Sequence, residues 1–286
     1  MALKKKIVIF GGSGYIGKNL VSYLISNGYD IIRVLRKKSN RINIREISRN
    51  ERIILVDDIR DDLPMIFENG FDIVINAITN YGKTGNFSLA ELIDINIQLP
   101  SLIVESSIKY GSTLFINFDT SLSANVNAYS ETKSTFRNIL INNYSNDITV
   151  INLVLEKVYG PGDSKEKFIT YAIDKLKNND ALEMTYGEQK YDWIYIDDVI
   201  EAIEQILLNE HDANLPYQEI EIGTGNVIKL NEFINYIKES IGSQSIIALG
   251  KVPYRKNEPM FSCANISKLK GWQLKYTIYD VDFKRF

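Results

Sequence analysis

Short, nearly continuous apolar runs at 6–10, 31–35, 52–56, 71–76, 114–118 and 148–155 read as buried strands. Between them, stretches with apolar residues every three or four positions, from 15 to about 27, 89–110 and 127–144, read as helices. Pro100 interrupts the second of the longer stretches and is expected to kink or divide it. Strands that alternate with helices predict an α/β fold in which a parallel sheet is covered on both faces. Past residues 158–162 the alternation loosens into shorter elements, which predicts a smaller mixed α/β lobe over 161–286. Within that lobe, the helical pattern at 197–208 and the strand pattern at 219–222 are regular enough to return to the main sheet, so 197–222 is assigned with residues 1–160.

Composition narrows the chemistry. With 286 residues, 45% of them hydrophobic, the chain can build one large domain or two joined ones. The formal charge of −3 gives no overall basic field, so neither nucleic acid nor a membrane surface is the expected partner. The chain has one cysteine, Cys263, and one histidine, His211, which argues against a disulfide, a metal site or a His-dependent triad. The apolar run near the N-terminus is too short for a signal-peptide core, and no stretch is long enough to span a bilayer. A cytoplasmic enzyme is the resulting expectation.

Gly11-x-x-Gly14-x-x-Gly17 lies between the first strand and the first helix. Glycine serves three needs there: a tight turn, a backbone that can touch a pyrophosphate, and close packing of helix on strand. The amides around Ser13, Gly14, Tyr15 and Ile16 would face the anion at the helix N-terminus, which makes 1–160 a dinucleotide-binding domain of Rossmann type. After the second strand, where an acidic residue usually accepts the ribose hydroxyls of NAD, the chain has Arg36-Lys37-Lys38. Cations suit a 2′-phosphate, so NADP(H) is favoured over NAD(H). Asp58-Ile59 follows the third strand, where the adenine edge is held, though a lone Asp there also reads as a turn or cap.

Tyr129-Ser-Glu-Thr-Lys133 places a phenol and an ammonium one helical turn apart, a spacing in which the lysine can stabilise the phenolate and lower the tyrosine pKa. The same spacing recurs at Tyr171/Lys175, where half-buried packing explains the tyrosine, and at Tyr186/Lys190, where Gly187 and flanking short strands argue against a shared face. Only the first pair begins a helix directly after a strand ending in Asp119-Thr120-Ser121, at the sheet edge that faces the cofactor crevice.

With these pieces in order, the chain resembles the extended short-chain dehydrogenase/reductases of the NAD-dependent epimerase/dehydratase family that act on nucleotide sugars. The matching pieces are the glycine turn, Asp58 to Asp61, Asn76-Ala77, Asn96, Thr120, Tyr129/Lys133, Val158 to Asp163, Asp192 to Val199 and Gly271-Trp272. Asn80-Tyr81-Gly82, Phe115-Ile116-Asn117 with Asp119-Thr120, and Tyr129-Ser130 resemble most the 4-ketoreductases that finish CDP-3,6-dideoxyhexoses for surface polysaccharides, the CDP-abequose and CDP-paratose synthases. The resemblance implies Tyr129 as proton donor in contact with the cofactor, Lys133 on the nicotinamide ribose, Thr120 (Ser121 as the alternative) on the sugar oxygen, Ala77 on the cofactor, and Tyr81, Lys167, Arg255 and Glu258 on the substrate. It also implies a homodimer formed by the helices at 89–110 and 127–144. Two departures stand out. Ser121-Leu122 follows Thr120 where dehydratases carry Asp-Glu, which disfavours dehydration, and Tyr191 stands where many relatives have a phosphate-binding Arg, leaving Lys167, Lys190 or Arg255 to supply that charge. The leading expectation is NADPH-dependent reduction of a CDP- or dTDP-linked 4-keto-deoxyhexose. A 4-epimerase with tightly bound NAD and a non-catalytic dinucleotide-binding protein remain as alternatives.

Overall fold

The computed structural model describes residues 5–37, 52–82, 88–209 and 215–286, so Lys38 and His211 lie outside the described residues. The first half of the chain forms β1 (Lys6–Phe10), α1 (Tyr15–Ser26), β2 (Asp30–Arg36), β3 (Arg52–Val56), α2 (Ile59–Phe67) and β4 (Ile73–Asn76). Next come α3 (Leu89–Ile93), α4 (Leu99–Lys109), β5 (Leu114–Thr120), α5 (Ala128–Ile139) and β6 (Thr149–Leu155). A seven-stranded sheet runs in the order Tyr217–Ile222, β6, β5, β4, β1, β2, β3. Its β3–β2, β2–β1, β1–β4 and β4–β5 pairs are parallel, the doubly wound Rossmann-type arrangement. Strand order reverses at β1, and the carboxyl ends of β1 and β4 flank the switch point at which such sheets bind ligands.

Two compact units divide the chain, Met1–Val154 with Ile206–Ile220, and Leu155–Gln205 with Glu221–Phe286. In the first, Val8, Phe10, Val34, Val74 and Phe115 from successive strands pack with Ile66, Phe67, Ile103 and Phe136 from the helices. Each such buried side chain contributes about 1.5–3 kcal/mol. The second unit has its own core of Tyr159, Ile173, Leu182, Phe233 and Phe283, built on the helices Phe168–Lys177 and Leu230–Ile241 and short mixed strands. Asp192, fully buried there, accepts from the Thr224 amide and hydroxyl (2.8 and 2.7 Å), the Gly225 amide (2.9 Å) and the Ala264 amide (3.2 Å). Four donors compensate the cost of burying its charge. Of the two elements expected to return to the main sheet, the strand Tyr217–Ile222 lies beside β6, whereas the helix Ile196–Leu208 falls in the second unit up to Gln205 and only its end from Ile206 in the first. Among the described residues no helix is long and apolar enough to cross a membrane.

Pro100 does not break the helix. The Leu99 amide bonds back to the Asp94 carbonyl, a wide turn, so residues Asp94–Gln98 form a π-helical segment that absorbs the proline's missing N–H, and Ile93, Asp94, Gln98 and Leu99 all keep right-handed helical dihedrals on the way into α4. The wide turn holds Asn96, 1% exposed, within the structure. Helix α2 was not anticipated from the sequence, because Pro64 sits inside it.

Candidate active site

The turn after β1 is built as the glycine spacing requires. A Cβ on Gly17 would lie 2.3 Å from the Gly11 carbonyl oxygen, and one on Gly11, whose φ is +79°, would lie 2.5 Å from the Ala77 backbone after β4. The loops after β1 and β4 therefore touch only because Gly11 lacks a side chain, and the turn itself closes because Gly17 does. Gly14 differs: its Cβ would meet only the Gly11 oxygen at 3.3 Å, leaving its outer side open. Gly14 caps α1 without a side-chain acceptor, and the first turn carries no acidic residue, so the amides around Ser13, Tyr15 and Ile16 suit an anion. This arrangement fits a dinucleotide pyrophosphate. Arg33, in the middle of β2, packs its stem where a Gly12 side chain would be and donates weakly to the Gly12 carbonyl at 3.4 Å, a placement the sequence pattern gave no reason to expect.

Arg36 is exposed at the end of β2, and Lys37 is already paired with Asp57 at 2.7 Å. Asp58 is the N-cap of α2, accepting from the Arg60 amide at 2.8 Å, while Ile59 is buried behind it. That backbone bond, followed by the charges of Arg60 and Arg36, holds the Asp58 carboxyl below its usual range.

Helix α5 begins where it does because of a capping box: Asn127 accepts from the Ser130 amide at 2.9 Å, and Ser130 Oγ accepts from the Asn127 amide at 3.1 Å. Tyr129 thus falls in the first turn, with Lys133 and Arg137 following on the same face. Asn96 fastens that turn, donating from Nδ2 to Thr132 Oγ1 (3.0 Å) and to the Asn80 carbonyl (2.9 Å) and accepting from the Asn80 amide (2.8 Å). Tyr81 follows Asn80, and its ring lies 5.0 Å from that of Tyr129.

The Tyr129 phenol lies near the hydroxyls of Thr120 and Thr79, and Thr79 Oγ1 is buried without a hydrogen-bond partner. Burial, then the neighbouring Tyr81 and the negative charge of Asp119, push its pKa well above the ordinary tyrosine range, and the two hydroxyls offset only part of this. Lys133, 2% exposed, donates from Nζ to the Phe118 carbonyl, and burial lowers its pKa. The expectation that Lys133 lowers the tyrosine pKa is therefore corrected for the protein without cofactor: desolvation outweighs the lysine, whose ammonium is engaged by the end of β5. Ser121 follows just past that strand, beyond Thr120.

The other two Tyr/Lys spacings do not form comparable pairs. Tyr171 is 42% exposed and Lys175 pairs with Asp180 at 3.2 Å, while Tyr186 lies in the loop between the strands Leu182–Met184 and Lys190–Tyr191. In the second unit, Lys167 pairs with Asp163 at 2.9 Å, and Arg255, largely exposed, reaches Glu258 at only 4.0 Å. Tyr191 donates from its hydroxyl to Glu258 (2.9 Å) and the Pro259 carbonyl (2.6 Å), and Lys157 lies 5.0 Å over its ring. Burial lowers the Lys157 pKa, against the nearby Glu156 and Glu258. Its sequence position at the start of a short strand gave no sign of this cluster.

Comparison with known proteins agrees with this geometry. The model of the NAD dependent epimerase/dehydratase family matches residues 7–223. A CDP-abequose synthase of Salmonella typhimurium is 35% identical, covering 95% of this chain and 94% of the relative, and one of Yersinia pseudotuberculosis is 29% identical over 89% and 90%. Among solved structures, the UDP-glucuronic acid 4-epimerase of Bacillus cereus with UDP-glucuronic acid and NAD superposes with a TM-score of 0.84 over 98% of each chain, and at 19% identity it speaks for the fold. A family match across most of the chain, joined by a relative of that identity and coverage, means that this chain belongs to the NAD-dependent epimerase/dehydratase family.

Proposed function

We propose that this protein uses NADPH to reduce the 4-keto group of a nucleotide-linked deoxysugar. The observation that carries the reading is the placement of Tyr129 and Lys133 one turn apart on α5 against the carboxyl end of β5, where Lys133 holds the Phe118 carbonyl and Thr120 ends the strand. Full-length similarity to the CDP-abequose synthases supports a CDP- or dTDP-linked 4-keto-deoxyhexose as the substrate class. In this chemistry the hydride comes from a reduced nicotinamide cofactor. Tyr129 gives its proton to the alkoxide developing on the keto oxygen, and Thr120 donates a hydrogen bond that orients the same oxygen. Lys133 would hold the nicotinamide ribose through its ammonium, and the amides of the glycine turn would hold the pyrophosphate. Arg36, with Arg33 against Gly12, supports NADP(H) over NAD(H). Tyr81 would line the sugar, and in the second unit Lys167, Arg255 and Glu258, with Lys157 beside them, would meet the nucleotide diphosphate in place of the arginine that Tyr191 replaces.

A screen of 4-keto sugars on CDP, dTDP, GDP and UDP carriers, followed by NADPH absorbance, tests the reading. The expected result is turnover with a CDP or dTDP carrier, with NADPH preferred over NADH. Stoichiometric NAD retained through purification, without NADPH consumption, would favour the 4-epimerase reading instead. NADPH binding with no turnover on any carrier would leave a dinucleotide-binding protein.

The lowered Lys133 pKa gives the pH profile a sign. Its ammonium is lost at a lower pH than that of an exposed lysine, whereas Tyr129 holds its proton longer than an exposed tyrosine. Reduction measured as kcat/KM is therefore expected to fall on the alkaline side, below the ordinary lysine range of about 10.4. In Lys133→Met the residual rate should lack that limb. An unchanged limb in the variant would assign it to another group.

The protein is proposed to dimerise through the stretch 89–110, which holds α3 and α4, and the stretch 127–144, which holds α5. Leu89 and Ile93 on α3, 54% and 45% exposed, and Ile141 just beyond α5, 39% exposed, are large apolar residues left in water by this chain alone. Sedimentation should give twice the chain mass for the native protein and the chain mass for Ile93→Glu. A native monomer would remove the proposal.

A further inference from the structure

A chain of buried amides crosses the middle of the sheet. Asn76 Nδ2 on β4 donates to Asn117 Oδ1 on β5 (3.0 Å), Asn117 Nδ2 donates to Asn152 Oδ1 on β6 (2.7 Å), and Asn152 Nδ2 donates to Asp119 Oδ2 (2.7 Å). None of the four residues exceeds 4% exposure. Apolar side chains fill such positions at no desolvation cost, whereas polar ones are tolerated only when every group is satisfied, and a satisfied network fixes one geometry. Here each amide is oriented by the one before it, and the series ends on a carboxylate.

That carboxylate is held from the other side. Arg137, two turns after Tyr129 on α5, donates from Nε to Asp119 Oδ2 (2.6 Å) and from Nη2 to the Thr120 carbonyl (3.2 Å), with Glu219 flanking the guanidinium at 3.4 Å. Asp119 Oδ1 in turn accepts from the Thr120 amide at 2.7 Å. Thr120 is therefore gripped through both its amide and its carbonyl, while Lys133, one turn earlier, holds the Phe118 carbonyl. The helix that carries Tyr129 and the strand end that carries Thr120 are joined by these cation-to-backbone and cation-to-carboxylate bonds.

We propose that Arg137 is a positioning residue, which with Asp119 and the Asn76–Asn117–Asn152 chain clamps Thr120 at its working distance from the Tyr129 phenol. The proposal rests on the reading that these two hydroxyls act on a keto-sugar, and its test has one arm that needs no substrate. A displacement near 1 Å at a reacting group costs up to about 100-fold in rate. Arg137→Met is therefore expected to lower kcat by about 30-fold, leaving KM for NADPH within about twofold, because nothing in the glycine turn changes. Arg137→Lys, which can reach Asp119 or the Thr120 carbonyl but does not offer the fork to both, should recover much of that loss. In the substrate-free protein, amide hydrogen exchange at Thr120 should rise about tenfold or more in Arg137→Met, with Ile116 in the same strand unchanged.

A folded Arg137→Met variant with native kcat and native Thr120 exchange overturns the clamp. So does a loss of kcat accompanied by a uniform rise in exchange along β5, since that is general destabilisation. If Arg137→Met does not fold, Arg137→Gln, which keeps a polar chain but neither the charge nor the fork, decides: native exchange at Thr120 together with native kcat refutes the proposal, and selective acceleration at Thr120 supports it. If the native protein reduces no keto-sugar, the functional reading fails by itself, and the exchange measurement still decides whether Arg137 holds Thr120.

Discussion

Tyr129→Phe is expected to lower the turnover of keto-sugar reduction by about 10³-fold while leaving NADPH affinity within about twofold. The size follows from what is removed. Without the phenol, the alkoxide forming at the sugar carbon must take its proton from water, and a positioned general acid is commonly worth 10²- to 10⁴-fold, or about 3–5 kcal/mol of barrier. The cofactor is untouched because its proposed contacts lie in the glycine turn and at Lys133. Removing the hydroxyl also takes a polar neighbour from Thr120, so a stability loss of no more than about 1 kcal/mol should accompany the change. Stopped-flow turnover and fluorescence titration with NADPH measure the two quantities separately. A variant that turns over at near-native rate would remove Tyr129 from the chemistry.

Gly17→Ala is expected to damage both the fold and cofactor binding. The added Cβ would sit 2.3 Å from the Gly11 carbonyl oxygen and 2.9 Å from the Gly12 Cα, all backbone of the same tight turn, so no side chain can swing aside to relieve it. Overpacking against fixed backbone costs about 1–3 kcal/mol, which for a domain of this size lowers the melting temperature by roughly 5 °C. The turn that gives way is the one proposed to hold the pyrophosphate, so NADPH affinity should fall by more than about tenfold. Gly14→Ala is the contrasting case. Its backbone, at φ −70°, accepts any residue, and its Cβ meets only one atom, at 3.3 Å, so the fold should persist while a methyl intrudes on the open side. Loss of NADPH affinity in both variants, with melting depressed only in Gly17→Ala, is the expected pattern. Equal melting losses would mean that the glycines share one structural role.

How much of this was legible in the sequence depends on where each residue's partners lie. The strands could be read because both faces of a central parallel sheet are buried, so their side chains form unbroken apolar runs. The start of α5 was readable for a local reason, since its cap, Asn127, and the reciprocating Ser130 stand three residues apart. Helix α2 was obscured by Pro64, and the π segment before Pro100 leaves no periodic trace, although Asn96 within it fastens the first turn of α5. The pKa of Tyr129 was misread because spacing reveals Lys133 but not that its ammonium is taken by the Phe118 carbonyl, nor how far the phenol is desolvated. Arg137 was overlooked because its partners, Asp119, Thr120 and Glu219, come from other strands, and only the folded sheet brings them to one helix face.

Transfer of isotope from cofactor to sugar distinguishes a reductase from an enzyme that returns its hydride. Enzyme, a CDP-linked 4-keto-3,6-dideoxyhexose and NADPH deuterated at the transferring position of C4 are incubated together, and the product is examined by mass spectrometry and NMR. One deuterium per product molecule is expected, located at C4 of the sugar, with one NADPH oxidised for each alcohol formed. Product formed without deuterium, or none formed while the protein retains stoichiometric NAD, would contradict the reductase reading.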